Sequence, residues 1–304
     1  MDAAGLDWSL YWFMLPVGVA VATTAMLTGI SGAALMVPVL VIGLPALGPA
    51  YALESTSLSV GAALIIQAAG FASGLFGYWR RRLVDVACAV PFLLFAVPAA
   101  AVGAAALAAF GQHDAAIKGA YAILMLTLCP MLLLRGRAAT AVGAAVAVDA
   151  TSGGHERTLT ARDGRVWHYA VPRPGAGGGA LTALGGFLTG LVAVGMGEVL
   201  VPQLLRRHRL PPPVAAAVSV FVVIVATLTA ALVYTASLAV AAGTVTLPWH
   251  LLVWAMAGVV LGGQLGPRLH GRVAQRTMER AIAVLFAAIG VAMAFIALRG
   301  AAVL

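Results

Sequence analysis

Gly29-Ile30-Ser31-Gly32-Ala33-Ala34-Leu35-Met36-Val37-Pro38 decides how this chain is read, because its pattern returns as Ala193-Val194-Gly195-Met196-Gly197-Glu198-Val199-Leu200-Val201-Pro202. Each copy sets glycine into strongly apolar text and ends on Val-Pro. Glycine and proline both interrupt helices, one through excess freedom and the other through a missing N–H. Helix-breaking sequence at matching places in two halves of a membrane chain points to the substrate site of a secondary transporter. The two segments are expected to meet at the centre of a transport protein.

Composition supplies the membrane. Apolar residues make up 62% of the 304 positions and charged residues 9%, and the mean hydropathy is +1.02. A soluble chain of this length could not hide that much apolar surface. Long uncharged runs recur over 55–79, 86–112, 176–197, 211–249 and 281–298, while 10–53 holds no Asp, Glu, Lys or Arg. As a single helix, 10–53 would reach about twice the thickness of the hydrocarbon core. It must turn, and Gly29, Gly32 and Pro38 are where the turn is expected. Asp2 and Asp7 precede the first run without a basic residue, so that run reads as a retained span rather than a cleaved signal.

Ten hydrophobic elements follow, at about 9–29, 31–44, 50–79, 84–110, 115–134, 178–195, 197–206, 212–242, 248–267 and 279–299. The second and seventh are too short for a straight crossing and read as broken or re-entrant helices. The expected fold is all-α and polytopic, with two repeats of about five elements. Its units are 1–137, a linker over 138–177 and 178–304. In that linker, 157–161 and 165–171 flank Asp163-Gly164, a pair suited to a type I′ turn, and suggest a small β-hairpin.

The net charge of +8 does not imply nucleic acid, because the basic residues sit in short gaps between spans. Arg80–82, Arg135, Arg137, Arg157, Arg162, Arg165, Arg173, Arg206, Arg207, Arg209, Arg268, Arg272, Arg276 and Arg280 share one face if each long–short pair enters and leaves on the same side. The positive-inside tendency makes that face cytoplasmic. The N-terminus then lies outside, the central loop inside, and the repeats are inverted. The alternative, a parallel duplication with every short element crossing fully, scatters the Arg clusters over both faces.

With Gly29 to Pro38 and Val194 to Pro202 in view, the chain resembles the sulfite exporter TauE/SafE family of permeases. That family carries a repeated Gly-Ile-Gly-Gly-Gly-x-Leu-Leu-Val-Pro pattern with Thr-Ser downstream. Here Ser31 and Ala33 replace two glycines in the first copy, Met196 replaces one in the second, and Glu198 follows the last. The downstream element stands as Thr56-Ser57 and Val218-Ser219, and 257–266 looks like the family's penultimate helix. The resemblance implies passage of sulfite or a related organosulfur anion across the cell membrane.

A small oxyanion leaving water needs fixed donors, and helix N-termini supply free N–H groups at a positive dipole end. Gly29, Ser31, Gly32 and Ala33, with Gly195 and Gly197, are the candidate backbone site. The hydroxyls of Thr28, Ser31, Thr56, Ser57 and Ser219 can add donors. Alternatively the glycines only allow close helix packing. Glu54 and Glu198 are the acidic residues set in apolar text, and a carboxylate there faces a cavity, is paired, or exchanges protons. Glu198 either couples transport to protons or braces the break; Glu54 reads as interfacial. Gln67, Gln203 and Gln264 read as polar bridges between helices. Cys88 and Cys129 read as packing residues, and the histidines show no metal-ligand spacing.

These features point to a secondary transporter for a small anion, with protons or another ion as the coupling partner. No cofactor, metal or nucleic-acid partner is expected, and no phosphate loop is present. An anion channel with a static pore is the nearest alternative. An intramembrane enzyme is the more distant one, since it needs clustered catalytic groups inside the spans.

Overall fold

The computed structural model describes residues 8–28, 31–111, 113–142, 156–242, 247–269 and 275–301. The described residues are mostly helical. In the first half, α1 (Met14–Thr28) is followed by α2 (Ala33–Pro38), which continues through a π turn over Val39–Gly43 into α3 (Leu44–Leu47). Then come α4 (Thr56–Arg80), α5 (Val86–Ala109) and α6 (Asp114–Val142). A hairpin of β1 (Glu156–Thr160) and β2 (Val166–Ala170) separates the halves. The second half repeats the order with α7 (Ala176–Val192), α8 (Met196–Pro202), a π turn over Gln203–Arg207, α9 (Pro212–Ala242), α10 (Trp249–Leu269) and α11 (Gln275–Ala301).

Among the described residues, α4, α5, 212–240 and 280–299 are long and apolar enough to cross a membrane. Trp8, Trp12, Trp79 and Trp249 stand exposed near span ends, where amphipathic rings suit a lipid–water boundary.

Local chemistry fixes the boundaries. Ser55 opens α4 by accepting from the Leu58 N–H at 3.1 Å, and Asp85 opens α5 by accepting from Ala87 at 3.0 Å. The helix α6 runs on through Arg135 and Arg137 to Val142, eight residues past the apolar run ending at 134 and into the expected linker. Apolar length measures how much chain lipid can take, whereas Ala and Arg extend a helix regardless.

The short elements return to the end they came from. Before α1, the Tyr11 hydroxyl donates to the carbonyl of Tyr51, beyond α3, at 3.1 Å. At the opposite end, Gln203 beyond α8 donates to the carbonyl of Gly178, in the first turn of α7, at 3.1 Å. Each pair is a re-entrant hairpin.

Partners are exchanged between halves. The first long helix α1 packs on α10, and α7 packs on α5; α6 pairs with α11, and α4 with α9. Glycine makes the closest of these contacts possible. A Cβ on Gly190 would lie 2.1 Å from the Ala100 carbonyl oxygen, and one on Gly258 would lie 2.3 Å from that of Leu15. The central helices α4 and α9 run antiparallel: Ser57 and Gly61 face Tyr234, while Gln67 reaches Thr227.

Candidate functional site

The break before α8 forms because two consecutive turns demand unusual backbone. Ala193 adopts φ 62°, and Gly195 adopts φ 137° with ψ −38°, a conformation essentially restricted to glycine. Both broken helices pass through Val-Pro into a π turn. Proline has no N–H to bond back and leaves the carbonyl four residues earlier without its usual helical donor. For Pro38 that carbonyl belongs to Ala34, and the Tyr121 hydroxyl of α6 donates to it at 2.8 Å.

The two breaks meet in the interior. Glu198 Oε1 accepts from the Ser31 N–H at 2.7 Å, and its Oε2 accepts from Gly195 N–H at 3.2 Å. Gln67 Oε1 accepts from the Ala33 N–H at 2.7 Å and from the Ser31 hydroxyl. Gln67 Nε2 donates to Thr227 Oγ1 at 3.3 Å, and Met196 N–H donates to Thr189 Oγ1 at 2.9 Å. Ser31, Gln67, Thr189, Glu198 and Thr227 are each at most 5% exposed. Both oxygens of Glu198 therefore accept peptide N–H groups, one from each broken segment. A carboxylate and a side-chain amide thus occupy the donors that open α2 and α8.

The structure gathers Ser31, Gly32, Ala33, Gly195, Gly197 and Glu198 at this crossing. Gly29 lies outside the described residues. Thr56 and Ser57 sit at the far end of α4, about 16 Å along the axis from Gln67 at 1.5 Å per residue. There the Thr56 N–H donates to Asp114 at 3.1 Å, and Ser57 shares a hydrogen bond with Ser55. Ser219 is buried on α9, about 12 Å before Thr227 by the same rise. Glu54 is exposed ahead of α4. Gln203 and Gln264 bridge helices, to Gly178 and Ser73 respectively.

Sequence reasoning missed Thr189, Thr227 and Tyr121. Their only signal was polarity at mid-span, which is costly in lipid and therefore tends to be partnered.

A small, partly open apolar cleft reaches the crossing from one side, lined by Val21, Met26, Gly32, Met36, Gln67 and Phe71 among others. Beyond α8, His208 sets its ring edge-on to Phe92 with centroids 5.6 Å apart, and Nε2 is buried without a hydrogen-bond partner. Burial, then the charge of Arg207, holds His208 below the ordinary imidazole pKa.

Comparison with known proteins agrees with this architecture. The family described as sulfite exporter TauE/SafE matches residues 14–293. A Bacillus subtilis (strain 168) protein described as "Probable membrane transporter protein YunE" is 22% identical over 277 residues, covering 91% of this chain and 94% of that protein. No solved structure matches. With a family match that covers both breaks and reaches into the last helix, this chain belongs to the TauE/SafE sulfite exporter family of multi-pass membrane transporters.

Proposed function

We propose that the protein is a secondary transporter that moves a small anion, sulfite or a related organosulfur anion, by alternating access around the crossing of α2 and α8. Two inverted repeats build it, and the antiparallel course of α4 and α9 supports that inversion. The Arg-rich end is cytoplasmic, the first residues face outside, and the protein resides in the cell membrane. The backbone donors are those of Ser31, Gly32, Ala33, Gly195 and Gly197.

The observation that carries the reading is the Glu198 carboxylate on the Ser31 and Gly195 amides. The protein seats its own oxyanion where a substrate oxyanion needs donors. An arriving anion must displace that carboxylate, and protonation of Glu198 weakens its hold and removes its repulsion. Proton uptake and anion binding are thereby linked at one residue.

Gly32 and Gly197 of the motifs support binding over packing, whereas Gly195 is needed for its backbone angle and is closely packed. A Cβ on Gly32 or Gly197 would meet only ordinary contacts, at 3.8 and 3.9 Å. Glycines that serve packing in this molecule, such as Gly103 and Gly190, would clash with backbone at 2.1 Å. The buried crossing also favours a gated carrier over a static pore, because protein groups fill the donors.

Counterflow in proteoliposomes tests the reading. Unlabelled sulfite inside is expected to draw labelled sulfite inward past equilibrium, which a channel cannot do. Thermal shifts with sulfite, thiosulfate, sulfate and methanesulfonate then rank the substrates. No counterflow and no shift with any of the four overturns the proposal.

A further inference from the structure

The segment joining the two halves is fastened more specifically than a tether requires. Asp85, 7% exposed at the start of α5, holds the β1–β2 hairpin. Its Oδ1 accepts from Arg157 Nη1 at 2.8 Å, and its Oδ2 accepts from the Tyr169 hydroxyl at 2.9 Å and the Cys88 thiol at 3.5 Å. Arg157 and Tyr169 are partners across the hairpin register, so both strands hold one carboxylate.

The turn of the hairpin is seated as well. Arg162 N–H donates to the Arg81 carbonyl at 3.1 Å. Ala161 is buried with Leu83 and Ala217, and Tyr78 and Val84 pack around them. Tyr78 lies in the last turns of α4, and Ala217 lies in the second turn of α9. These are the helices that carry Gln67 and Thr227 at the crossing. The hairpin turn therefore packs against the α4 and α9 ends nearest Arg80–82 and Arg207, and touches both halves.

We infer that the hairpin is a removable plug, which covers the Arg-rich ends of α4 and α9 and must leave its seat for an anion to pass. The inference rests on the transport reading above. The seat is built for release. Arg157 is about half exposed, so water screens its ion pair and lowers the cost of parting. The buried share of the grip comes from Tyr169 and from a small apolar cluster, contacts that two short strands can break and remake together.

Two measurements test the plug, both in a Cys88→Ser, Cys129→Ala background. The first joins Arg81→Cys to Arg162→Cys, whose backbones are already hydrogen-bonded. Oxidation is expected to cut sulfite counterflow by at least about tenfold and reduction to restore it, as expected of a gate whose opening limits turnover. The sulfite-induced thermal shift should persist in the oxidised protein. Oxidised protein exchanging sulfite as fast as reduced protein overturns the plug.

The second places Ala217→Cys under the hairpin and measures labelling by a water-soluble maleimide in detergent. Adding Tyr169→Phe is expected to speed labelling by about tenfold, the loss of one hydrogen bond to a buried carboxylate. An unchanged rate overturns the seat. Reduced protein that neither exchanges nor is shifted by sulfite sinks the transport reading instead, and labelling alone then judges the plug.

Discussion

Glu198 Oε1 lies 2.7 Å from the backbone nitrogen of Ser31, a residue 167 positions earlier in the chain. With Oε2 on its own Gly195, one carboxylate ties the two breaks together. Any motion of one broken segment relative to the other must open this contact, so the residue proposed above to couple protons to substrate also holds the halves in register.

Glu198→Gln keeps the size and one acceptor but removes the titratable charge. Sulfite uptake by this variant is expected to lose its response to an imposed proton gradient while counterflow persists. Full transport with an unchanged pH dependence would show that the carboxyl only braces the break.

Gln67→Leu strips the Ala33 N–H and the Ser31 hydroxyl of a buried acceptor and cuts the link to Thr227. Leaving such groups unmade costs about 1–3 kcal/mol. A lower melting temperature in detergent, together with a reduced shift on adding sulfite, is the expected result. Ser57→Ala, at the far end of α4, should leave the sulfite shift intact.

Gly190→Ala would push a methyl into the Ala100 carbonyl at 2.1 Å and force α7 off α5. Overpacking of this kind costs about 1–3 kcal/mol. Nothing lies within 4 Å of a Cβ on Gly77, so Gly77→Ala is expected to be neutral or to stabilise by up to about 1 kcal/mol through helix propensity. Equal melting temperatures for the two variants would contradict the packing described.

Because His208 is held below its ordinary pKa, the unfolded chain takes up a proton there before the folded one does. The stability it contributes is complete above about pH 6.5 and is lost as pH falls through the folded value. Melting in detergent from pH 7.5 to 5 should show a loss that is smaller in His208→Asn. Identical profiles would rule out His208 as a source of the acid sensitivity.

How much of this was legible in the sequence depends on how local each cause is. Gly195 acts on its own backbone, so the second break could be placed before any coordinates. Pro38, expected at a turn, instead lies inside a helix that continues through a π turn, as does Pro202. Glu198 was visible because a carboxyl in apolar text always needs an explanation. Gln67, Thr189 and Thr227 were not visible as a set, because they meet only after helices far apart in sequence pack together. Thr56-Ser57 shows the converse: proximity in sequence to the first motif says nothing about depth, and α4 carries the pair to its far end. The length of α6 escaped notice because lipid-compatible text and helical text stop at different residues.

The exchange of partners, α1 with α10 and α7 with α5, bears on how the protein is made. A ribosome that has finished only the first half has released helices whose closely fitting neighbours do not yet exist. Those notched surfaces stay open to lipid until the later helices insert, so final assembly waits for nearly the last span. Neither half is then a self-sufficient folding unit, and two separately expressed halves would be stable only together.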